Sequence, residues 1–406
     1  MTKLSSPPPV SAMAAVSAVA AVLLMGAVAE AAEDSCTPKP ETEVESQYRQ
    51  PMLTLTAVFV FLIAIVGTIG NFLAVLSLML SKKLRQSPST TFMVNLPACL
   101  LPVCMIGMPM FGGGCLQVHY HGRVTYPEWL TLVAYTLGLT LSQVHLHTIC
   151  ALALNRLLAV MYPALYKRIM QRRNVTIYMI VLWLYSALLW VPLSFGVFGQ
   201  LVFEEKELMV SLKKDSNCKA SRARRAVHVF FTYVLPILFT SGCYILMYIR
   251  LRHSPQGKKM RVRRKSVSEA AEDRTLRQWD EQVTRTILVI FLVLLTCSVP
   301  HIVIHVLNLY DTLPTAWLLF HVVFWLQFCL DPIVYMLMSQ QYREASGHCL
   351  RTILSCFPVF NVSENEPKSE PRSELKSDPL LGAQTSSNKD SNILQKVQFV
   401  TETSDS

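Results

Sequence analysis

Asp331 is the one Asp, Glu, Lys or Arg set deep within the long apolar stretches of this 406-residue chain. A charge in such surroundings costs several kcal/mol unless it is paired or protonated. A carboxylate beside a histidine can share a proton, and histidines can gather around a metal ion. The apolar stretches also hold His145, His228, His301, His305 and His321. His301 and His305 are four residues apart and share a face if the segment is helical. Three readings of His228, His301, His305 and His321 stand side by side: polar contacts to a ligand, a proton sensor, or a metal site. Packing or lipid-facing roles form the plainer alternative. Zinc also needs closely gathered ligands with a supporting second shell, which spacing alone does not give.

Arg156 offers a different chemistry. It follows an uncharged run from Leu130 to Leu154, with only Asn155 between and no carboxylate within several residues. Its planar guanidinium suits carbonyl and carboxylate partners. The plainer reading is that it reaches out to lipid headgroups.

The elements that position these residues are apolar helices. The chain is 52% hydrophobic and only 16% charged, with a positive mean hydropathy, a composition unusual for a soluble enzyme of this size. Runs of about eighteen or more apolar residues predict seven spans. They cover Leu53–Leu80, Thr91–Phe111, Leu130–Leu154, Val175–Phe198, Val227–Ile249, Thr286–Tyr310 and Thr315–Met338. The predicted fold is all-α, a seven-transmembrane-helix bundle with a short membrane-parallel eighth helix.

Ahead of the spans, Lys3, the apolar run Val10–Val28 and the small-residue triplet Ala27-Val28-Ala29 read as a signal peptide over residues 1–29, with an uncleaved extra helix as the competing reading. Residues 30–51 are then an extracellular tail, 52–341 the seven-span domain, 342–357 an amphipathic segment and 358–406 a disordered cytoplasmic tail rich in Ser, Glu, Lys and Pro. Basic residues mark the inner loops: Lys82, Lys83 and Arg85, then Lys167, Arg168, Arg172 and Arg173, then the dense stretch Arg250 to Lys265. The net charge of +10 therefore reflects topology and attraction to anionic membrane lipid, not nucleic acid. The sequons at Asn174 and Asn361 fall on the inner side and are expected to stay unused.

Of eleven cysteines, most lie in predicted spans or on the inner side. Cys36, Cys115 and Cys218 face the oxidising side, and a Cys115–Cys218 disulfide is expected, tying the long outer loop to the end of the second span. That loop, Glu204 to Arg225, starts acidic and then carries Lys213, Lys214, Lys219, Arg222, Arg224 and Arg225. Two readings compete for this basic run: an anionic ligand such as a lipid or acidic peptide, or pairing with Glu33, Asp34, Glu41, Glu43 and Glu45 of the tail.

Landmarks recur in a fixed order: Asn71, Arg156, Trp183, Pro236, Tyr244, Pro300, Pro332 and Tyr335. In that order they resemble the helix markers of the rhodopsin-like family of G-protein-coupled receptors over about residues 53–350. Ser89-Thr-Thr-Phe92, Leu154-Asn-Arg-Leu157, Tyr166-Lys-Arg-Ile169 and the lysine-rich stretch around Cys218 are similar to the invertebrate orphan branch that includes the Trapped-in-endoderm and Moody receptors. Departures are clear as well. Leu100 stands where the family has an aspartate, Ser298 where it has a tryptophan, Asp331 where it has an asparagine, and Thr131 where it has a disulfide cysteine.

The resemblance implies a receptor that couples an unidentified outer ligand to heterotrimeric G proteins, with no catalytic group, resident metal or cofactor. Gly138, Ser142 and Gln143 would line the ligand pocket with the outer histidines. Gly138 excludes an amine receptor and Trp325 an opsin. The layout places Asp331 near His145 and Asn71, and implies an Asp331–His145 pair in place of a sodium cluster. Alternatively, a protonated Asp331 bonds to Asn71 or water. Arg156 would meet the G protein, with Tyr244 and Tyr335 stabilising the open form and the sixth helix swinging about Pro300 beside Ser298. Because Asn155 replaces the usual acid, Asp280 or Glu281 is expected to restrain Arg156 in the closed form. The membrane-parallel segment from Tyr342 carries Cys349 and Cys356 as palmitate candidates. Arg263-Arg264-Lys265-Ser266 reads as a kinase site at Ser266, and the tail as a substrate for receptor kinases and arrestin. Two other classes compete: a seven-span intramembrane zinc-dependent lipid hydrolase, and a channel or transporter. The first is disfavoured because the layout puts Asp331 well inward of His301 and His305, the second because the spans show no internal repeat.

Overall fold

A computed structural model describes residues 48–81, 89–197, 199–213, 224, 226–253, 267–307, 309 and 312–355. Seven of its helices are long and apolar enough to cross a membrane: Gln50–Leu80, Ser89–His121, Glu128–Met161, Arg172–Ser194, Ala226–Met247, Thr284–Val306 and Pro314–Met338. They are called the first to seventh spans below. The signal-peptide segment, most of the N-terminal tail, Cys218, Ser266, Cys356 and the C-terminal tail lie outside the described residues.

The first span shows how side-chain size chooses the buried face when every face is apolar. Leu53, Ala57, Val60, Ala64, Gly67, Asn71, Ala74 and Leu78 are buried, alternating steps of four and three along one stripe. Leu55, Leu62, Ile65, Ile69 and Phe72 on other faces are exposed, as suits lipid. The stripe is the side with the small residues, which let helices approach closely. A Cβ on Gly70 would lie 2.8 Å from Cγ of Pro332 on the seventh span, and one on Gly67 would lie 2.7 Å from Sγ of Cys104 on the second.

The second span runs past the predicted end at Phe111. It is helical over Ser89–Pro102, makes a π turn over Val103–Gly107 after Pro102 has withheld an amide donor, and resumes over Met108–His121. Gly112, Gly113 and Gly114 end the apolar run but not the helix. Gly122 does end it, in the left-handed region at φ 70°, donating to the Val118 carbonyl at 3.0 Å. Cys115 is a free buried thiol inside this span, and Cys218, the partner expected for it, lies outside the described residues.

The third span is central, and its buried residues face several neighbours. A short helix, Pro163–Ile169, follows it. The sixth span is the C-terminal part of a longer helix, Val267–Val306. After the seventh span, Ser339 is extended and its Oγ accepts from the Tyr342 amide at 3.2 Å, capping an eighth helix, Gln340–Ser355. Ser346 Oγ lies 3.0 Å from Ser77 Oγ of the first span, so this helix docks on the bundle. Tyr342 is buried there, and burial pushes its phenol up to about 12. Cys349 is also buried, which turns this palmitate candidate toward the bundle.

The one described departure from an all-helical chain is a hairpin between the fourth and fifth spans, β1 (Leu201–Glu204) and β2 (Met209–Leu212), antiparallel with Leu201 opposite Leu212 and Glu204 opposite Met209. Its turn is held from three directions through successive carbonyls. Tyr48 Oη donates to Lys206 O, Trp317 Nε1 to Glu207 O at 3.1 Å, and Tyr135 Oη to Leu208 O at 3.1 Å.

Candidate functional site

Proline chemistry builds part of the interior. Pro332 has no amide hydrogen, so the Phe328 carbonyl one turn earlier lacks its helical donor. Asn71 supplies it from the first span, Nδ2 donating to Phe328 O at 2.9 Å and to Gly67 O at 2.8 Å. Pro236 leaves the Thr232 carbonyl in the same condition, and Gln143 Nε2 of the third span donates to it at 2.9 Å. Gln143 was expected to contact a ligand. It does border a cavity, but its amide is spent on the fifth span and lies 3.3 Å from His147 Nε2.

Mid-bundle, His145 Nε2 lies 2.8 Å from Asp331 Oδ2, with both residues buried. Asn71 is not the aspartate's partner, since its amide serves the two backbone carbonyls. The ring of His145 meets that of Phe328 edge-on at 6.4 Å. The His145–Asp331 contact joins the third span to the seventh.

At the end of the bundle away from the hairpin, Arg156 is 2% exposed, which removes the reading that it reaches into headgroups. Its Nη2 donates to Ser89 Oγ at 2.9 Å, and that hydroxyl donates to Asn155 Oδ1 at 3.2 Å. Ser89, at the start of the second span, thus bridges the Asn-Arg pair. The side chains of Asp280 and Glu281 lie outside the described set, so the expected acidic restraint on Arg156 does too. The neighbouring Gln282 donates through Nε2 to the Met338 carbonyl, an orphan acceptor at the last turn of the seventh span. Tyr244 stacks on Phe291 at 5.9 Å and Tyr335 meets Tyr342 at 5.6 Å. Both tyrosine hydroxyls are buried without a hydrogen-bond partner among the described residues.

At the hairpin end, a cavity of about 90 Å³ is bordered by Gly138, Ser142, Gln143, His145, Ser298 and His301 among mostly apolar neighbours. This is room for a small ligand or several waters. Ser298 Oγ donates to Gln327 Oε1 at 3.2 Å, so the position that lacks a tryptophan links the sixth and seventh spans by a hydrogen bond. His228 packs against Trp190 at 4.6 Å and borders a second cavity with His301, His305 and Glu207. His301 stacks on Phe324 at 4.2 Å. His305 Nε2 lies 3.1 Å from His321 Nε2, and His321 Nδ1 donates to Trp317 O at 2.7 Å.

Sequence reasoning missed Ser89, Gln282, Gln327 and His147, whose Nδ1 lies 3.1 Å from Ser186 Oγ. A signal did exist for the roles of Asn71 and Gln143, because each interior proline releases a carbonyl four residues earlier. Which side chain reaches it depends on helix packing.

The model of the family described as 7 transmembrane receptor (rhodopsin family) matches residues 70–335. The chain is 24% identical over 371 residues to the Drosophila melanogaster G-protein coupled receptor moody, covering 77% of this chain and 53% of that protein. It is 23% identical over 368 residues to the Drosophila melanogaster protein trapped in endoderm-1, covering 85% and 91%. It thus spans about half the length of the Moody receptors it matches. Among solved structures, squid rhodopsin superposes with a TM-score of 0.67 at 18% identity, covering 80% of this chain and 93% of that one. Seven apolar helices, a family match across most of them and the likeness to rhodopsin's fold lead to one conclusion: the chain belongs to the rhodopsin family of seven-transmembrane receptors.

Proposed function

We propose that this protein is a plasma-membrane receptor, with its N-terminus outside, that passes binding of a ligand at the hairpin end to a heterotrimeric G protein at the Arg156 end. The observation that carries the reading is the closed inner cluster. Arg156 is buried and held by Ser89, and Gln282 fastens the sixth helix to the end of the seventh. Separation of the inner helix ends about Pro300 releases the Gln282 contact and exposes Arg156. The buried hydroxyls of Tyr244 and Tyr335 are then free to find partners. A ligand shifts this equilibrium only by the difference in its affinity for the two forms.

His145 and Asp331 form the coupling point between the ends, because they join the third and seventh helices below the cavity. Gly138, Ser142, His301 and the neighbouring aromatic residues form the ligand-facing wall. The basic run of the second outer loop favours an anionic ligand, of lipid or acidic-peptide character. On the inner side, Ser266 and the C-terminal tail are the proposed targets of kinases, with arrestin as the reader, and the eighth helix rests on membrane lipid. The competing hydrolase reading has no support here. Asp331 pairs with His145, and ten residues of helix put it about 15 Å along the axis from His321.

The test is nucleotide exchange on a panel of heterotrimeric G proteins in membranes holding the chain or its Arg156→Ala variant at matched surface level. Exchange above background that the variant loses supports the reading and names the transducer. Exchange that is identical in the two removes Arg156 from the mechanism.

A further inference from the structure

We propose that His301, His305 and His321 form a zinc site that joins the sixth and seventh spans at the hairpin end. One ring nitrogen from each lies within 4.8 Å of the other two. The closest pair, Nε2 of His305 and Nε2 of His321, is 3.1 Å apart, and two nitrogens bound to one tetrahedral zinc at the usual bond length are separated by about 3.3 Å. The wider pairs, up to 4.8 Å apart, must close by as much as about 1.5 Å to reach that separation.

The protons on the rings are arranged for such a site. A backbone carbonyl only accepts, so the 2.7 Å contact between His321 Nδ1 and Trp317 O fixes the proton on Nδ1 and leaves Nε2 as a lone pair aimed at His305. A second-shell carbonyl that orients a ligand histidine in this way is a recurring feature of zinc centres. The Nε2 atom of His301 is buried and has no hydrogen-bond partner among the described residues, and a buried polar atom left unmatched calls for an explanation. Without metal, His305 must donate from Nε2 to the bare Nε2 of His321. On binding zinc, the His305 proton moves to Nδ1 through solvent, and all three rings ligate in the neutral form. Aromatic faces hold the rings in place, with His301 on Phe324 and His305 against Trp317 at 4.2 Å.

Three imidazoles with a fourth position toward a cavity suit zinc, with copper(II) as its competitor on affinity. The cavity bordered by Glu207, His228, His301 and His305 supplies that fourth position, open to water or to a metal-binding group of a ligand. This site departs from the sequence-based expectation of a protein without metal. It does not rest on the signalling reading, because metal binding is measured with no G protein present.

Full-length protein is purified in detergent, stripped with a chelator, titrated with zinc sulfate and assayed for bound metal and thermal unfolding. Cobalt(II) replaces zinc in a parallel titration read by visible absorption. The expected result is one metal per chain, a melting temperature that rises with zinc concentration, and the intense bands of tetrahedral cobalt. His301→Gln, His305→Gln and His321→Gln each weaken binding by at least about tenfold, whereas His121→Gln at the end of the second span binds as the parent does. Binding that survives all three substitutions, or the lack of stoichiometric zinc in the parent, overturns the site. Because a glutamine variant can fail to fold, His305→Cys provides a second test. It is expected to keep the metal and add a thiolate-to-cobalt charge-transfer band. A folded His305→Cys protein without that band also overturns the assignment.

Discussion

His145 and Asp331 are 186 residues apart in sequence, and their side chains meet at 2.8 Å in the middle of the bundle. Both residues are buried, so the contact ties the third span to the seventh inside the bundle. Removing one partner of a buried pair is more disruptive than removing both. Asp331→Asn is therefore expected to reach the cell surface, because an amide still bonds to the imidazole, and to change basal nucleotide exchange. An unchanged basal level at matched expression would sink the coupling role. A cycle with His145→Phe should return a coupling energy of about 0.5–3 kcal/mol in thermal unfolding.

Asn71 and Gln143 each satisfy a carbonyl that a proline left bare. Asn71→Leu and Gln143→Leu are expected to lower stability by roughly 1–3 kcal/mol each, the cost of a buried acceptor without a donor. Melting of purified protein in detergent checks this. Leu at a lipid-facing site such as Thr296 provides the comparison and should change little. Equal melting of all three variants would show that the bare carbonyls find other donors.

Gly70 packs on Pro332, where an added Cβ would sit 2.8 Å from the ring. Gly70→Val is expected to push the first and seventh spans apart, costing about 1–3 kcal/mol by overpacking. A melting temperature within error of the parent would mean that the helices shift without cost.

Gln282 links the sixth helix to the last carbonyl of the seventh span. Its replacement by Leu removes the link with little change in volume, and basal exchange should rise by a few-fold, since a contact worth about 1 kcal/mol corresponds to roughly fivefold in an equilibrium. Lower exchange in Gln282→Leu would place this contact in the open form instead.

Much of the fold is legible in the sequence because hydropathy alone decides which segments enter a membrane. All seven spans fall where their apolar runs lie. The end of the second span was not legible. The run of glycines at Gly112 reads as a break in isolation, yet Gly112 lies against Phe61 and Gly113 against Tyr126, and close packing keeps the helix going to Gly122. The β1–β2 hairpin was also missed, because four-residue strands gain their order from partners elsewhere in the chain, here Tyr48, Tyr135 and Trp317. Within the site, the landmark order brought His145 to Asp331. Spacing put His301 beside His305, but the arrival of His321 depends on how two helices pack, which no local pattern reports.

The hairpin turn hangs on three successive carbonyls, at Lys206, Glu207 and Leu208, each gripped by an aromatic side chain from a different part of the chain. Where the family's third helix ties this loop with a covalent bridge, Thr131 stands here. A lid fastened this way opens one grip at a time, each worth about 1 kcal/mol, and its opening is a thermal event on the timescale of loop motion. Reductants leave these grips untouched. On the receptor function proposed above, ligand escape at this end of the bundle follows how often Tyr48, Tyr135 and Trp317 let go, and residence time becomes a property of three aromatic side chains.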